Sequence, residues 1–388
     1  MCIAIEDIAL GTSGYCISLE TLAMHNSIDR NKYLVGIGQK NFSITPPDED
    51  IITLAYKAAS QIITKNNAKN IKFLFFATES SFDNSKSAGT YLHELLQLPE
   101  DCRIIELKQA CYGGTAALLL AKSFLETTGD KNAKCLVITS DIAKYELMSN
   151  AEPTQGAASV AMLLSKENDN AIALLEHFGG TVTKNSNDFS KPNYMRYPFV
   201  NGKLSIVIYL SFLKQSIKKF LSEFNLGIED FSAICYHTPF PKMAYKANDM
   251  VQKLYPELSS GRYISDIKEQ VYYNSEIGNS YTASLYLSLL SLLEQDCNDF
   301  TNKRIGMFSY GSGSTCELFT LIISESYKQK LRKEFNLKLI QNRKFSEYEE
   351  YKFFHDFTYT NDTEIPVSSD SVIRLKSIKN HVRNYELL

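Results

Sequence analysis

The alternation of short apolar runs with longer helical patterns is the feature that most restricts the fold of this chain. Residues 71–78 read IKFLFFAT, a continuous apolar run rich in aromatics, as is typical of a strand buried on both faces. A helical pattern over residues 85–98, a short strand over 104–107 and a strongly helical pattern over 115–126 follow it. A chain that repeats strand and helix in this way predicts an α/β fold.

The same alternation continues beyond a polar segment, residues 185–201, which Pro192 and Pro198 interrupt and which predicts a long loop. One compact domain of 388 residues would be unusual, so we expect two similar halves, residues 1–168 and 169–388, although no sequence repeat relates them. The remaining predicted strands cover 134–139, 231–236 and 304–310, with an apolar segment at 157–164, and the remaining helices cover 205–224, 241–254 and 282–293.

Charge and cysteine content narrow the class of protein. The net charge is -3 and no strong basic run is present, which argues against nucleic acid as a partner. No apolar run is long enough for a membrane span, and the first residues lack the pattern of a signal peptide, so we expect a cytoplasmic protein with no membrane partner. The eight cysteines are scattered without C-x-x-C spacing, which argues against a disulfide framework and a zinc site.

Cys111 is the cysteine whose surroundings suggest chemistry. It stands in the segment QACYGGTAAL, residues 109–118, on a short bend before an apolar helix. Unpaired backbone N–H groups and the positive end of the helix dipole favour a thiolate there, and Gly113 and Gly114 let another backbone or a substrate approach. These observations are typical of a nucleophile, although composition alone would make Cys111 one more buried core thiol.

Other polar residues follow apolar strands or open helices: Glu79, His237, Asn279 and the Gly-Ser-Gly-Ser run at 311–314. Ligands of α/β sheets bind at the carboxyl ends of strands, so these residues could converge in one crevice. Each has a simpler interpretation. Glu79 could cap a helix, His237 could be a hydrogen-bonded structural residue, and Asn279 could belong to a turn. The glycine-serine run could be a bare turn or could bind an oxyanion, and its spacing does not match a P-loop.

Taken together, several motifs resemble the 3-hydroxy-3-methylglutaryl-CoA (HMG-CoA) synthase family of the thiolase superfamily. They are KYLVGIGQ (32–39), ATES (77–80), ACYGGTAAL (110–118), DIAKY (141–145), EPTQGA (152–157), HTPFPKMAYK (237–246), GNSYTASLYL (278–287) and FSYGSGS (308–314). The resemblance implies a thiolase-like five-layer α/β/α/β/α sandwich of two similar halves and a homodimer. It also implies condensation of acetyl-CoA with acetoacetyl-CoA for the mevalonate pathway and isoprenoid synthesis, without a metal or other cofactor.

The resemblance also implies roles for individual residues. Cys111 matches the nucleophile that takes the acetyl group, Glu79 the general acid/base, and His237 the residue that binds and polarises acetoacetyl-CoA. Further matches are residues that contact the acyl groups (Asn279 and Ser312), pocket residues (Tyr145 and Thr154) and basic positions near the CoA entrance (Lys242 and Lys246). Two lysines one turn apart on a helix could equally be a solvated face.

Two alternatives keep the same catalytic set. A related synthase could install β-branches on polyketides, with the acceptor carried by an acyl carrier protein, and a non-catalytic homologue could serve as a binding partner. Ketoacyl synthases share a Cys-His-Asn set but are less similar at ATES and YGGTAA, and Cys316 is displaced from the second cysteine of a thiolase. The family's D-F-W-R-P segment is changed here to Asp188-Phe189-Ser190-Lys191-Pro192, and Y-P-x-V-D-G to YPFVNG at 197–202, with Asn201 in place of the Asp.

Overall fold

The strands of this protein were assigned in a computed structural model that describes residues 2–166, 170–260 and 263–388. The boundary predicted at residue 168 lies outside the described residues. The strands are β1 (Ile3–Thr12), β2 (Tyr15–Ser18), β3 (Asn41–Ile44), β4 (Ile71–Ala77), β5 (Arg103–Leu107), β6 (Lys134–Ala143), β7 (Gly156–Lys166), β8 (Ala173–Thr183), β9 (Phe189–Ser190), β10 (Phe199–Val200), β11 (Ala233–Tyr236), β12 (Arg304–Gly311), β13 (Thr315–Ile323), β14 (Lys344–Phe345), β15 (Thr363–Glu364), β16 (Ile373–Lys379) and β17 (Val382–Leu387).

The helices alternate with these strands along both halves of the chain. They are α1 (Leu19–His25), α2 (Arg30–Leu34), α3 (Ile51–Ala59), α4 (Lys65–Ala68), α5 (Ala88–Leu95), α6 (Gly113–Thr127), α7 (Gly202–Phe224), α8 (Pro241–Leu254), α9 (Ile267–Gln270), α10 (Tyr272–Ile277), α11 (Ser284–Gln295), α12 (Tyr327–Lys330), α13 (Lys333–Gln341) and α14 (Tyr348–Asp356). No helix in the described part of the chain is both long and apolar enough to cross a membrane.

A mixed sheet runs through the molecule. Among the described residues, nine strands form this sheet in the order β11-β12-β13-β8-β1-β7-β6-β4-β5. β4 is parallel to both β5 and β6, and β11 is parallel to β12, whereas the other neighbours are antiparallel. The two halves meet where β1 pairs with β8, with Ile3 opposite Leu175 and Ile5 opposite Ala173.

Helices cover both faces of each half of the sheet. Leu118 on α6 and Leu289 on α11 are buried in one cluster with strand residues of both halves, so these two helices form the central layer. On the outer face of the first half, α3 and α5 pack against β4, β6 and β7. On the outer face of the second half, α7 and α8 pack against β11, β12 and β13. The predicted α/β/α/β/α order is therefore confirmed.

Most predicted elements are confirmed, with differences at their ends. The strands expected at 71–78, 104–107, 134–139 and 304–310 are β4, β5, β6 and β12, and the helix expected at 241–254 is α8. The helix expected at 85–98 begins only at Ala88, because the Ser87 hydroxyl accepts a hydrogen bond from the Gly89 backbone N–H and caps it. The helix expected from residue 282 begins at Ser284, after a 3₁₀ turn over Tyr281–Ala283.

Candidate active site

Cys111 and Glu79 lie together because their loops leave the same edge of the sheet. β4 and β5 are parallel, with Ala77 opposite Leu107, and the loops that carry Glu79 and Cys111 follow directly. The Cys111 Sγ–H donates a hydrogen bond to Glu79 Oε1 across 2.9 Å. The sequence therefore places a thiol and a carboxyl in contact through the carboxyl ends of adjacent parallel strands.

The glycine at position 114 allows the helix behind Cys111 to approach its neighbours. A Cβ at Gly114 would lie 2.6 Å from Thr139 Cγ2 on β6 and 2.8 Å from Tyr286 Cε2 on α11. Both separations are too short for carbon atoms in contact. The sequence predicted that the glycine allows another backbone or a substrate to approach. At Gly114 the groups that approach are side chains of the protein itself.

Burial disfavours negative charge on both the thiol and the carboxyl. Burial raises the pKa of Glu79 to about 8, the charge of Asp141 adds to this, and the hydrogen bond from Cys111 and the charge of Lys191 oppose it. Burial and the Glu79 carboxylate also raise the pKa of the Cys111 thiol well above its usual range. The prediction that the helix terminus favours the thiolate is therefore wrong for this resting state, in which the Cys111 thiol keeps its proton.

Asp141 holds the loop that carries Glu79, and the sequence analysis quoted it only as part of a motif. Its side chain is fully buried at the end of β6. Asp141 Oδ1 accepts hydrogen bonds from the Thr78 and Ser80 hydroxyls at 2.9 and 2.7 Å and from the Glu79 backbone N–H at 2.9 Å. Asp141 Oδ2 accepts from the Thr282 backbone N–H at 3.1 Å. A carboxylate within an apolar strand run was the signal that could have found it.

Asp141→Asn is expected to lower both stability and activity. Every neighbour of the carboxylate in this network is a donor, so the amide NH₂ of asparagine would face another donor whichever way it is turned. We expect the free energy of unfolding, measured in urea, to fall by about 2 kcal/mol. An Asp141→Asn protein with unchanged unfolding and unchanged condensation rate would contradict this role.

His237 follows β11 and is buried beside the cysteine cavity. Its backbone N–H donates to the Phe308 carbonyl at 2.9 Å, and its own carbonyl accepts from the Tyr209 hydroxyl at 2.7 Å, which fixes the residue at the strand end. Burial lowers the pKa of His237 to about 3. The imidazole is therefore neutral at pH 7 and offers one N–H donor to a ligand.

The neutral state of His237 can be tested by NMR. We expect the His237 Cε1 proton to keep a constant chemical shift from about pH 5 to 8, because the depressed pKa lies below that range. The His237→Gln variant, which lacks that resonance, assigns it, and free imidazole in the same sample serves as the titrating reference. A His237 resonance that moved together with the imidazole signal would disprove a neutral histidine.

Asn279 is brought to the site by a close backbone crossing. Gly278, with φ of +85°, forms an isolated bridge with Gly156, and a Cβ at Gly278 would lie 1.9 Å from the Gln155 carbonyl oxygen. Beside this crossing, the Asn279 backbone N–H donates to the Thr154 carbonyl at 3.2 Å. Two predicted site residues from distant parts of the sequence are thus joined by a crossing that requires glycine.

The glycine-serine loop packs against the bend that carries Cys111. A Cβ at Gly311 would lie 2.4 Å from the Gln109 carbonyl oxygen, so the two loops are in backbone contact. The buried Asp188 holds the next residues, because it accepts from the Gly313 backbone N–H at 3.2 Å and the Tyr310 hydroxyl at 3.0 Å. It also accepts from the Ser205 hydroxyl at 3.1 Å. The long loop over residues 185–201, which we call the central loop, therefore joins the glycine-serine loop to α7 despite its departures from the family's motifs.

One cavity of about 730 Å³ brings together most of the predicted site residues, namely Cys111, Tyr145, Thr154, His237, Asn279 and Ser312. Glu79 lines an adjoining chamber of about 190 Å³. Lys242 and Lys246 are exposed on α8 and do not line the cavity, whereas Lys203 at the start of α7 does. The sequence analysis did not single out Lys203, because one lysine in a polar loop carries no local signal.

The arrangement suits acyl transfer followed by proton transfer at a carbon atom. A half-buried thiol in contact with a carboxyl can be acylated, and the same carboxyl can then move a proton at a neighbouring carbon. A neutral imidazole and an amide that line the same cavity can orient a carbonyl oxygen. The cavity is of a size that accepts a small-molecule thioester.

Comparison with known proteins identifies the family. The family model "Hydroxymethylglutaryl-coenzyme A synthase N terminal" matches residues 2–169, and the corresponding C-terminal model matches residues 172–255 and 247–356. A hydroxymethylglutaryl-CoA synthase of Enterococcus faecalis is 37% identical over 99% of this chain and 100% of its own length.

Solved structures agree in fold over the whole chain. A crystal structure of HMG-CoA synthase complexed with CoA has a TM-score of 0.94 at 34% identity, with 100% of both chains covered. The curacin biosynthetic pathway HMG synthase in complex with holo donor-ACP has a TM-score of 0.90 at 27% identity, again over 100% of both chains. The chain belongs to the hydroxymethylglutaryl-CoA synthase family of thiolase-like enzymes.

Proposed function

We propose that this enzyme condenses acetyl-CoA with acetoacetyl-CoA to 3-hydroxy-3-methylglutaryl-CoA through an acetyl group held on Cys111. The observation that carries the proposal is the 2.9 Å contact between Cys111 Sγ and Glu79 Oε1, beside a cavity that His237 and Asn279 also line. A product of this kind is a precursor for the mevalonate pathway. The proposal requires no metal or redox cofactor.

The first step is transfer of the acetyl group. As Cys111 Sγ attacks the carbonyl of acetyl-CoA, Glu79 takes the thiol proton along the existing hydrogen bond. The carbon–sulfur bond to CoA breaks, and the CoA sulfur leaves with that proton. The new thioester is close in energy to the old one, and Glu79 is again a carboxylate. Because the pKa of the thiol is raised, its attack needs a proton acceptor, and Glu79 is the acceptor already in contact.

The second step forms the carbon–carbon bond. Glu79 removes a proton from the methyl of acetyl-Cys111, for which a carboxylate of raised pKa is a stronger base than a solvated one. The resulting enolate attacks the ketone carbon of acetoacetyl-CoA. Neutral His237 donates a hydrogen bond to the developing alkoxide, and Glu79 returns its proton to that oxygen.

The third step releases the product by hydrolysis. A water molecule attacks the thioester carbonyl on Cys111 while the Glu79 carboxylate takes one of its protons. The carbon–sulfur bond breaks, and Glu79 passes that proton to the Cys111 sulfur, which restores the thiol. The second proton of the water is released to solvent. The acyl group leaves as the free carboxylate end of 3-hydroxy-3-methylglutaryl-CoA. Ser312 and the backbone N–H of Cys111 are the groups that we propose to hold the oxyanion in the two thioester steps.

A second candidate function is supported by the structural likeness to the curacin HMG synthase, which was solved with a donor acyl carrier protein. In that function the acceptor would be a β-ketoacyl group on a carrier protein, and the catalytic set would be unchanged. The exposed Lys242 and Lys246 on α8 suit either a CoA phosphate or the phosphopantetheine phosphate of a carrier.

Thiol release in two parallel reactions tests the proposal. The enzyme is supplied with acetyl-CoA and either acetoacetyl-CoA or acetoacetyl phosphopantetheine on a carrier protein, and product is identified by mass spectrometry. We expect turnover with free acetoacetyl-CoA. Turnover only with the carrier would establish the second function. No turnover with either, in folded protein that binds CoA, would indicate a non-catalytic homologue.

We also propose a homodimer in the cytoplasm. β5 ends the main sheet among the described residues, and Ile105 on β5 and Leu120 on α6 are 41% and 44% exposed. An open sheet edge with apolar residues suits pairing with a second copy. All eight cysteines are free, which fits a reducing compartment. Light scattering on a sizing column tests the dimer, and a monomer at micromolar concentration would exclude it.

A further inference from the structure

A basic cleft of about 510 Å³ lies apart from the catalytic cavity, between the central loop and the C-terminal strands. We call it the basic cleft and define it by the basic residues that line it: Lys144, Lys191, Arg196, His355, His381 and Arg383. No aspartate or glutamate is among its lining residues in the described part of the chain. Such a concentration of basic side chains is unexpected in a protein with a net charge of -3.

Nearby carboxylates neutralise only part of this basic charge. Arg383 pairs with Asp50 at 3.0 Å, and Arg196 approaches Asp356 at 3.8 Å. Lys144 and Lys191 have no carboxylate within ion-pair distance among the residues that the structure describes. Within the described part of the chain, two ammonium groups that line the basic cleft therefore have no carboxylate as an ion-pair partner.

The surroundings of Lys144 disfavour its positive charge. It is only partly exposed, and burial together with the charges of Arg196 and Lys191 lowers the pKa of Lys144 to about 8. A partly buried ammonium group beside two other cations is disfavoured, and an anionic ligand would offset that cost. The unfavourable surroundings of Lys144 thus point to a ligand of opposite charge.

The basic cleft is separate from the catalytic cavity but close to Glu79. The two share no lining residue. The chamber of about 190 Å³ that Glu79 lines also contains Lys144, Lys191 and Arg383, so it adjoins the basic cleft. Phe189, Pro198 and Tyr281 line both this chamber and the catalytic cavity, whereas none of the three lines the basic cleft. A ligand in the basic cleft would therefore leave the catalytic cavity open.

We propose that the basic cleft is a binding site for a compact oxyanion that carries two or more negative charges, such as a diphosphate or a tricarboxylate. Lys144 and Lys191 supply the unpaired charges, and Arg196 supplies a planar guanidinium that suits phosphate and carboxylate oxygens equally. Because the site and the catalytic cavity share no lining residue, the anion and CoA bind at the same time.

Calorimetric titration tests this proposal. Inorganic pyrophosphate is added to the whole protein in the presence of saturating CoA, so that the basic groups at the entrance of the catalytic cavity are occupied. We expect one pyrophosphate per chain, with affinity that weakens as salt is raised. Citrate in a second titration shows whether carboxylate or phosphate oxygens are preferred, and binding of either supports the proposal.

Three lysine variants locate the binding site. Lys144→Ala and Lys191→Ala are each expected to weaken pyrophosphate binding about tenfold or more, the usual effect of one charge-assisted contact. Lys191 is exposed, so its variant is expected to fold even if Lys144→Ala does not. Lys203→Ala, in the catalytic cavity, is the matched control and should bind normally. No binding by the unmodified protein, full competition by CoA, or loss only in Lys203→Ala would overturn the proposal.

Discussion

Replacing Cys111 by alanine is expected to abolish the acetyl-enzyme and to lower the condensation rate by about 10⁴-fold or more, because the variant lacks the thiol that we propose as the carrier of the acetyl group. The expected measurement has two parts. Intact-protein mass spectrometry after incubation with acetyl-CoA should show one added acetyl group on the unmodified enzyme and none on Cys111→Ala. Thiol release with acetoacetyl-CoA should fall to background in the same variant.

The matched control is Cys297→Ser, because Cys297 is an exposed thiol away from the catalytic cavity. This variant should acquire the acetyl group and turn over as the unmodified protein does. A Cys111→Ala enzyme that still condensed the two thioesters at the normal rate would show that the acetyl group is held elsewhere. Cys111 Sγ–H donates to Glu79 Oε1 at 2.9 Å, so removal of the thiol also removes a hydrogen bond that favours the Glu79 carboxylate.

The sequence predicted which residues lie at the candidate site because their positions follow from local pattern. Glu79, Cys111 and His237 each come directly after an apolar strand, and parallel strands bring their carboxyl ends to one edge. The resemblance of the surrounding motifs then supplied a role for each residue. The α/β class and the five layers follow from the same alternation of strands and helices.

The residues that the sequence analysis missed depend on contacts between distant parts of the chain. Lys144 matters because Lys191 and Arg196 come from a loop some fifty residues later, and nothing near Lys144 in the sequence signals that cluster. The pairing of β1 with β8, which joins the two halves, likewise has no local signature. The protonation state of Cys111 was predicted from its helix alone, whereas Glu79 and burial determine it.

Glu79→Gln is expected to slow two chemical steps, acetylation of Cys111 and removal of the methyl proton, to different extents. Glutamine keeps the size of the side chain but cannot take a proton, so removal of the methyl proton should slow by about 10³-fold, within the usual range for a general base. Acetylation of Cys111 should slow less, because solvent can also take a thiol proton. Rapid-quench measurement of the acetyl-enzyme beside steady-state thiol release distinguishes the steps. Equal slowing of both would mean that Glu79 acts only on the thiol.

The same substitution should change the response to pH in two ways. Condensation by the unmodified enzyme should rise with pH through about 8, as Glu79 loses its proton, and Glu79→Gln should lack that rise. The free energy of unfolding should change with pH in the opposite direction. The folded protein holds the Glu79 proton more tightly than the unfolded chain, whose carboxyl has its ordinary pKa of 4.5, so the free energy of unfolding should fall as pH rises from 4.5 to about 8. Urea unfolding at several pH values should show a smaller fall in this free energy for Glu79→Gln, because glutamine has no proton to lose. The carboxylate that we propose as the base of the condensation thus lowers the stability of the enzyme at the pH where the enzyme is active.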